Sequence, residues 1–81
     1  MKARIHVTLK PGVLDPQGTA IKKSLDNLGI DSVSSVTQGK YFEITLNEND
    51  KQKAEQTVEE SCKSLLANTV IENYSFEIIE A

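Results

Sequence analysis

The sequence predicts an α+β domain whose elements run in the order strand, helix, strand, strand, helix, strand. Three observations lead to this prediction: segments with a two-residue apolar period, two segments with an apolar stripe at helical spacing, and turn residues between them. The chain has 81 residues. Because two stable cores rarely fit in so short a chain, we expect one domain over residues 1–81.

The first strand and the first helix lie in the N-terminal third. Apolar and polar residues alternate through residues 3–10, the period of a strand with one buried face. Pro11 and Gly12 end this strand, since proline has no amide donor. Asp15-Pro16 predicts a helix start, because an aspartate can cap free amides and proline suits the first turn. The helix, which Gly29 ends, carries an apolar stripe of Ala20, Ile21, Leu25 and Leu28.

Two strands are predicted next. Residues 32–38 form a short strand with Val33 and Val36 as its apolar content. A tight turn at Gln38-Gly39-Lys40 joins it to a clearer strand. In that strand Phe42, Ile44 and Leu46 alternate with Tyr41, Glu43 and Thr45.

A second helix and a last strand complete the chain. The helix is expected from about Asp50 to Leu66, after a polar break at residues 47–50 that contains capping residues. The last strand covers residues 73–79, with Tyr74, Phe76 and Ile78 on one side. The predicted buried face of the helix consists of Ala54, Val58, Cys62 and Leu65.

This order of elements is the ferredoxin-like βαββαβ pattern: a four-stranded antiparallel sheet with both helices on one face. The other face of the sheet should stay open. It should carry the polar residues of the strands, namely Arg4, His6, Thr8, Lys10, Glu43, Thr45, Ser75 and Glu77. Mixed charge on such a face permits cross-strand pairing or a polar interface.

Composition excludes several classes of protein. The net charge is -3 and no block of like charges occurs, which argues against nucleic-acid binding. No run of 18 apolar residues is present, so no membrane span is expected. The lone Cys62 cannot form an internal disulfide, and a small secreted domain would usually contain several. We therefore expect a cytoplasmic protein.

Residues that could carry chemistry are few, and no catalytic, cofactor or metal site is expected. His6 is the single histidine, without a cluster of partners for a metal. Cys62 lies on an apolar stripe, which favours a buried and inert thiol. The only arginine, Arg4, lies within a strand rather than at a phosphate-binding loop, which argues against an acylphosphatase-like enzyme.

The segment Lys10–Gly18 is the most distinctive stretch. Two glycines and a helix start could hold a phosphate. However, the segment lacks the Lys-Ser/Thr ending of a nucleotide-binding loop, and Asp15 would repel an anion. Its ordinary interpretation is a connector between strand and helix.

The same segment takes part in a family resemblance. Residues 7–18, VTLKPGVLDPQG, closely resemble the N-terminal motif of the PurS family. Residues 39–43 resemble its Gly-Lys strand entry, and residues 62–74 its C-terminal motif. The resemblance covers essentially the whole chain in order. One departure is Thr69, where the family often has proline after the asparagine equivalent to Asn68.

The resemblance implies a small, non-catalytic subunit of phosphoribosylformylglycinamidine synthase, a glutamine-dependent ligase of purine biosynthesis. In such enzymes a glutaminase subunit releases ammonia, and a large synthetase subunit uses ATP and Mg²⁺ to form the amidine. The small subunit forms homodimers, holds no cofactor and bridges the other two subunits. A part in guiding ammonia is a further hypothesis.

The expected partner-contacting residues lie in the two distinctive segments outside the predicted core. The alternative function is a stand-alone regulatory domain that binds a small ligand, although no convergent polar pocket motif supports it. The candidates for partner contact are Lys10, Pro11, Gly12, Asp15, Gly39, Lys40 and Tyr41.

Overall fold

The computed structural model describes residues 1–80; Ala81 lies outside the described part. It confirms an α+β chain with an antiparallel sheet of ferredoxin-like character. The elements are β1 (Lys2–Leu9), α1 (Pro16–Asn27), β2 (Lys40–Thr45), α2 (Lys51–Ser61), a π-helical turn (Cys62–Leu66) and β3 (Glu72–Ile79). In this part of the chain no helix is long and apolar enough to cross a membrane.

The central strand β1 pairs antiparallel with both of its neighbours, which gives the order β2-β1-β3. Ile5 lies between Phe42 of β2 and Phe76 of β3. The alternation predicted for the three strands is therefore confirmed, because Ala3, Ile5 and Val7 point to one face and are fully buried.

Helix α2 covers that buried face. Ala54, Val58 and Cys62 are fully buried there, and Val58 and Cys62 belong to the same apolar cluster as the β1 residues. Desolvation, and to a smaller extent the charge of Glu59, raises the pKa of the Cys62 thiol. The prediction of a buried, inert thiol agrees with this position.

Capping residues act as the sequence predicts. The Asp15 side chain accepts a hydrogen bond from the Gly18 N–H, and Asp50 accepts one from the Gln52 N–H. After α1, Gly29 adopts a φ of 83°, the left-handed conformation that commonly ends a helix.

The prediction of a fourth strand is wrong for the single chain. Within residues 1–80 the sheet has three strands, and residues 32–38 pair with none of them. The tight turn at Gln38-Gly39-Lys40 is also absent, since Gly39 lacks the positive φ that a two-residue hairpin turn requires. Instead, residues 31–38 form an arm without assigned secondary structure that leads into β2. The arm meets the start of α1, where the Val36 carbonyl oxygen lies close to Gly18 and the Gln38 N–H donates to Asp15.

The predicted burial of the α1 stripe is wrong as well. Gly18 is the only buried residue of α1, whereas Ile21 is 40% and Leu28 74% exposed. The physical reason is that α1 and the arm project beyond the sheet rather than packing on its face. The shape reflects this: the radius of gyration is 16.2 Å and the chain measures 49 × 28 × 14 Å, while a compact chain of this length has a radius of about 12 Å.

Leu65 lies outside the core. The helical period predicts it on the buried face of the second helix, but it is 82% exposed. The helix widens into a π-helical turn after Ser61, in which the Ala67 N–H donates to the Cys62 carbonyl oxygen at 3.0 Å. This wider turn changes the angular position of the residues that follow. Leu66, rather than Leu65, then packs against the core.

Candidate partner-docking surface

The predicted contact residues meet at one end of the sheet, where β1 ends and β2 begins. The pairing places Lys40 opposite Val7 and Tyr41 opposite His6. On the other side of β1, Leu9 pairs with Glu72 at the start of β3. We call this region the loop-end surface. It comprises residues 10–15, 39–41 and 68–71.

Backbone contacts fix the Lys10 loop to the start of β3. The Lys10 N–H donates to the Ile71 carbonyl oxygen at 2.8 Å, and the Val13 N–H donates to the Lys10 carbonyl oxygen at 3.2 Å. Gly12 has a φ of 85°, which favours glycine because a side chain is strained there. The exposed Pro11-Gly12 turn therefore has a defined position at the edge of the sheet.

Gly39 joins the arm to β2 through a close backbone approach. A Cβ atom at this residue would lie 2.6 Å from the Val7 carbonyl oxygen. Any side chain there would force the two strands apart. The ammonium group of Lys40 lies 3.6 Å from the Glu72 carboxylate, which joins β2 to β3 across the end of β1.

Asp15 connects the helix start to the arm. One carboxylate oxygen accepts from the Gly18 N–H and the other from the Gln38 N–H, each at 2.8 Å. These two hydrogen bonds, with that from Gly18 contributing most, lower the pKa of Asp15 below its usual 3.8. Asp15, which the sequence analysis proposes as a partner contact, thus also joins the start of α1 to the arm within the chain.

Replacing Asp15 with asparagine should lower the stability at pH 7, because the amide group offers one acceptor oxygen where the carboxylate offers two. Since the folded pKa is depressed, the carboxylate stabilises the fold above its unfolded pKa, and this contribution is lost as the pH falls through the folded value. Urea unfolding of both proteins at pH 7 and pH 3 measures the effect. The stability difference should shrink at pH 3; an undiminished difference would contradict the hydrogen-bonding account.

Tyr41 lies on the open face beside His6, with ring centroids 5.0 Å apart and a tilt of 50°. Its hydroxyl donates to Glu43 at 3.2 Å. Desolvation and the Glu43 carboxylate raise the pKa of Tyr41, while the Tyr41 and Lys2 hydrogen bonds lower the pKa of Glu43. The phenol therefore stays neutral at physiological pH and presents a partly exposed ring to the surroundings.

The open face confirms the expected pattern of mixed charge. Lys2 lies 3.4 Å from Glu43, and Arg4 lies within 4 Å of both Glu43 and Glu77. Exposed ion pairs of this kind stabilise a fold little. Their charges largely cancel, so the face does not present a strong field to a ligand of either sign.

Sequence analysis missed the exposed apolar side chains near this end. Leu14 is 78%, Val70 81% and Ile71 39% exposed. Ile71 lies beside the Lys10 loop through the backbone bond described above. The available signal was the apolar pair Val70-Ile71, which follows the polar pair Asn68-Thr69 in the connector before β3. Exposed large apolar residues in the loops at one end of the sheet suit a protein interface better than a solvated surface.

No catalytic or metal-binding arrangement is evident in residues 1–80. No group of three or more His, Cys, Asp or Glu side chains could hold a metal ion in that part. An open groove between α2 and Phe76 is lined by glutamates and glutamines, and another lies over Arg4, His6 and Glu77 on the open face. Neither groove brings together a nucleophile and a base in a protected setting.

The chain matches the family model described as PurS, phosphoribosylformylglycinamidine (FGAM) synthase, over residues 2–80. The chain belongs to the PurS family. A curated relative from Synechocystis sp., phosphoribosylformylglycinamidine synthase subunit PurS, is 57% identical over 93% of this chain and 75% of its own length. The Bacillus subtilis PurS subunit is 43% identical over 98% of this chain and 93% of its own length.

Solved PurS structures share the whole architecture. PurS of Methanocaldococcus jannaschii, described as one of the subunits of formylglycinamide ribonucleotide amidotransferase, has a TM-score of 0.89 and 39% identity, covering 99% of this chain and 96% of its own. A chain in the PurLQS structure from Thermotoga maritima has a TM-score of 0.87 and 29% identity, with 96% and 95% coverage. The projecting α1 and arm therefore belong to a PurS-like shape.

Proposed function

We propose that this chain is the non-catalytic bridging subunit of phosphoribosylformylglycinamidine synthase. The observation that carries the proposal is its likeness, over nearly the full length of both chains, to a chain of the PurLQS assembly. The curated relatives named as PurS subunits of this synthase support it. The synthase converts formylglycinamide ribonucleotide to the amidine with glutamine and ATP in purine biosynthesis.

The proposed division of labour between the three subunits is the one that the family resemblance implies. The glutaminase subunit releases ammonia from glutamine, and the large synthetase subunit holds ATP and Mg²⁺ and forms the amidine. This single-domain chain holds no cofactor and positions the two partners. Ammonia is mostly protonated at neutral pH and is then no nucleophile, so a complex that transfers it directly increases the effective concentration of the reactive form. Guiding ammonia in this way is part of the proposal.

The loop-end surface is the proposed region of partner contact. Its support is the convergence of the Lys10–Asp15 loop with Gly39–Tyr41, together with the exposed side chains of Leu14 and Val70 in the loops at this end. We also propose a homodimer in the cytoplasm, in which the sheet acquires its fourth strand.

A stand-alone regulatory domain that binds a small ligand is the alternative. The groove beside Phe76 is the observation that favours it, but its lining of Glu55, Glu59 and Glu60 disfavours anionic nucleotides. Calorimetry with glutamine, ATP and ADP would detect such a ligand. Saturable binding to the isolated chain, without any effect of the chain on the synthase, would support the alternative.

The decisive experiment measures amidine formation by the large and glutaminase subunits of the same organism, with and without this chain. Glutamine-driven activity should depend on the chain. Ammonia serves as the control nitrogen source, because it bypasses the glutaminase. Full glutamine-driven activity without the chain would overturn the proposal.

A double substitution of Lys10 and Lys40 with alanine tests the loop-end surface. We expect weaker assembly and about a tenfold or greater loss of glutamine-driven activity at limiting subunit concentration, since residues at the centre of an interface carry most of its affinity. Alanine at Lys51 and Lys53, exposed on α2, is the matched control. Unchanged assembly of the Lys10/Lys40 variant, measured by light scattering, would argue against this surface.

A further inference from the structure

Strand β3 leaves one edge of the sheet open. In the order β2-β1-β3 it pairs with β1 on one side, and no strand in the described part of the chain pairs with its other side. The Lys10 N–H bond to the Ile71 carbonyl oxygen continues the ladder between β1 and β3. Since hydrogen-bonded pairs alternate along an antiparallel ladder, the amides and carbonyls of Tyr74, Phe76 and Ile78 point away from β1.

These outward groups form no backbone hydrogen bond within the part of the chain that the structure describes. The Glu72 N–H, which points the same way at the start of β3, donates to the Asn68 carbonyl oxygen. The connector before β3 therefore closes the edge at that residue alone. The rest of the strand presents a row of free donors and acceptors, which is a template for pairing with another strand.

β3 also lacks the features that usually block an open edge. Its eight residues pair with β1 in an unbroken register, so no bulge bends the strand away. Its sequence, ENYSFEII, contains neither proline nor lysine, two residues that commonly protect an edge. A long, regular edge without such protection suits the addition of a strand from another protein.

The groove between α2 and Phe76 lies beside this edge. Phe76 is the β3 residue that lines it, and the second groove, over the open face, also reaches Phe76. A residue that lines grooves on both faces of a sheet is expected at an open edge. The Tyr74 hydroxyl donates to Glu59, which holds α2 against β3 and keeps the first groove in position.

The groove beside the edge is acidic. α2 lines it with two glutamines and with Glu55, Glu59 and Glu60. Glu59 lies 3.5 Å from the Lys63 ammonium group. Glu55 and Glu60 form no ion pair in the described part of the chain. A strand added beside β3 would therefore meet carboxylates without a cationic partner on its helix side, which favours basic side chains there.

We infer that β3 is a docking edge for an extended basic segment of a partner protein, which adds antiparallel to the sheet with lysine or arginine at every second residue. Tyr74, Phe76 and Ile78 pack toward the core under α2. Because directly opposite residues in an antiparallel pair point to the same face, the partner residues that bond to them also point to the helix side. A second copy of this chain fits the edge less well, since two acidic grooves would then meet.

The probe for this edge is a blocked heptapeptide of alternating threonine and lysine, with threonine at both ends. Seven residues span about 23 Å, which fits the eight-residue strand β3. Titration of the full chain, followed by NMR, should show saturable binding. At about 90% occupancy the amide hydrogens of Tyr74, Phe76 and Ile78 should exchange with solvent about tenfold more slowly, because only the unbound molecules expose them.

Backbone methylation of the peptide separates strand pairing from simple charge attraction. Methyl groups on the lysine amides remove the donors that face β3 and should weaken binding by about tenfold or more. Methyl groups on the threonine amides, which face away from β3, should change the dissociation constant by less than about twofold. The two peptides carry the same charge, so attraction to the groove alone would affect them equally.

The double variant Glu55→Gln/Glu60→Gln tests the acidic groove. Loss of two exposed charge contacts should raise the dissociation constant of the unmethylated peptide by about fivefold at low salt. Asp26→Asn/Asp31→Asn is the matched control, because it removes the same charge at exposed residues of α1 and the arm. The control variant should change the dissociation constant by less than about twofold.

Binding at the three outward amides that lysine methylation abolishes, and that the groove variant weakens, supports the inference. No saturable binding at about millimolar peptide, equal effects of the two methylation patterns, or protection centred on β2 would overturn it. Outward amides of β3 that are already protected in the isolated chain would also overturn it, since a second copy would then occupy the edge. The synthase assay does not enter this test, so the docking edge and the bridging function can fail independently.

Discussion

Replacing Ile5 with alanine is expected to lower the free energy of unfolding by about 3 kcal/mol, the middle of the range for large-to-small changes in a core. Ile5 is fully buried at the centre of the middle strand, between Phe42 and Phe76 of the two neighbouring strands. A chain of 81 residues typically has a total stability of about 4–12 kcal/mol. The substitution should therefore remove a large fraction of it.

Urea unfolding at a fixed protein concentration measures this loss. Leu65→Ala provides the control, since Leu65 is 82% exposed and should change the stability by less than about 0.5 kcal/mol. Equal losses for the two variants would mean that Leu65, rather than being turned outward by the π-helical turn, belongs to the core.

Replacing Gly18 with alanine is expected to destabilise the protein by about 1–3 kcal/mol, the usual range for overpacking. The sign of this stability change is informative, because alanine in place of glycine inside a helix normally stabilises a protein by about 1 kcal/mol. Here the added Cβ would lie 2.2 Å from the Val36 carbonyl oxygen. The arm would have to separate from α1, which also strains the Gln38 bond to Asp15.

Thermal unfolding of Gly18→Ala beside Thr19→Ala gives the comparison. Thr19 is the next residue of the same helix and is exposed, so its replacement should leave the midpoint nearly unchanged or raise it. A higher midpoint for Gly18→Ala would show that the arm does not lie against α1 in solution.

Local sequence signals predicted most of the secondary structure. The alternation in β1, β2 and β3 and the caps at Asp15 and Asp50 depend on neighbouring residues, and these elements are observed. The open polar face followed from the same alternation. The residues proposed for the loop-end surface meet in space because they lie in the loops at one end of β1.

The errors concern features that local patterns do not determine. A Gln-Gly-Lys sequence is compatible with both a tight turn and an open connection into a strand, and neighbouring residues do not choose between them. The apolar stripe of α1 correctly indicates a helix, but an apolar stripe does not say whether the helix packs on the sheet of its own chain. A regular helical period continued through the π-helical turn predicts the wrong side for Leu65, and no single residue in the sequence signals that this turn is wider.

The buried thiol at the end of α2 has a practical consequence for kinetics. Alkylation requires an accessible thiolate, and Cys62 has neither full access nor an ordinary pKa in the native state. Iodoacetamide should therefore react at a rate set by how often α2 separates from the sheet. The chain has a single cysteine, so each modified molecule reports one separation of α2 from the sheet. The alkylation rate of Cys62 therefore measures how often the core opens transiently.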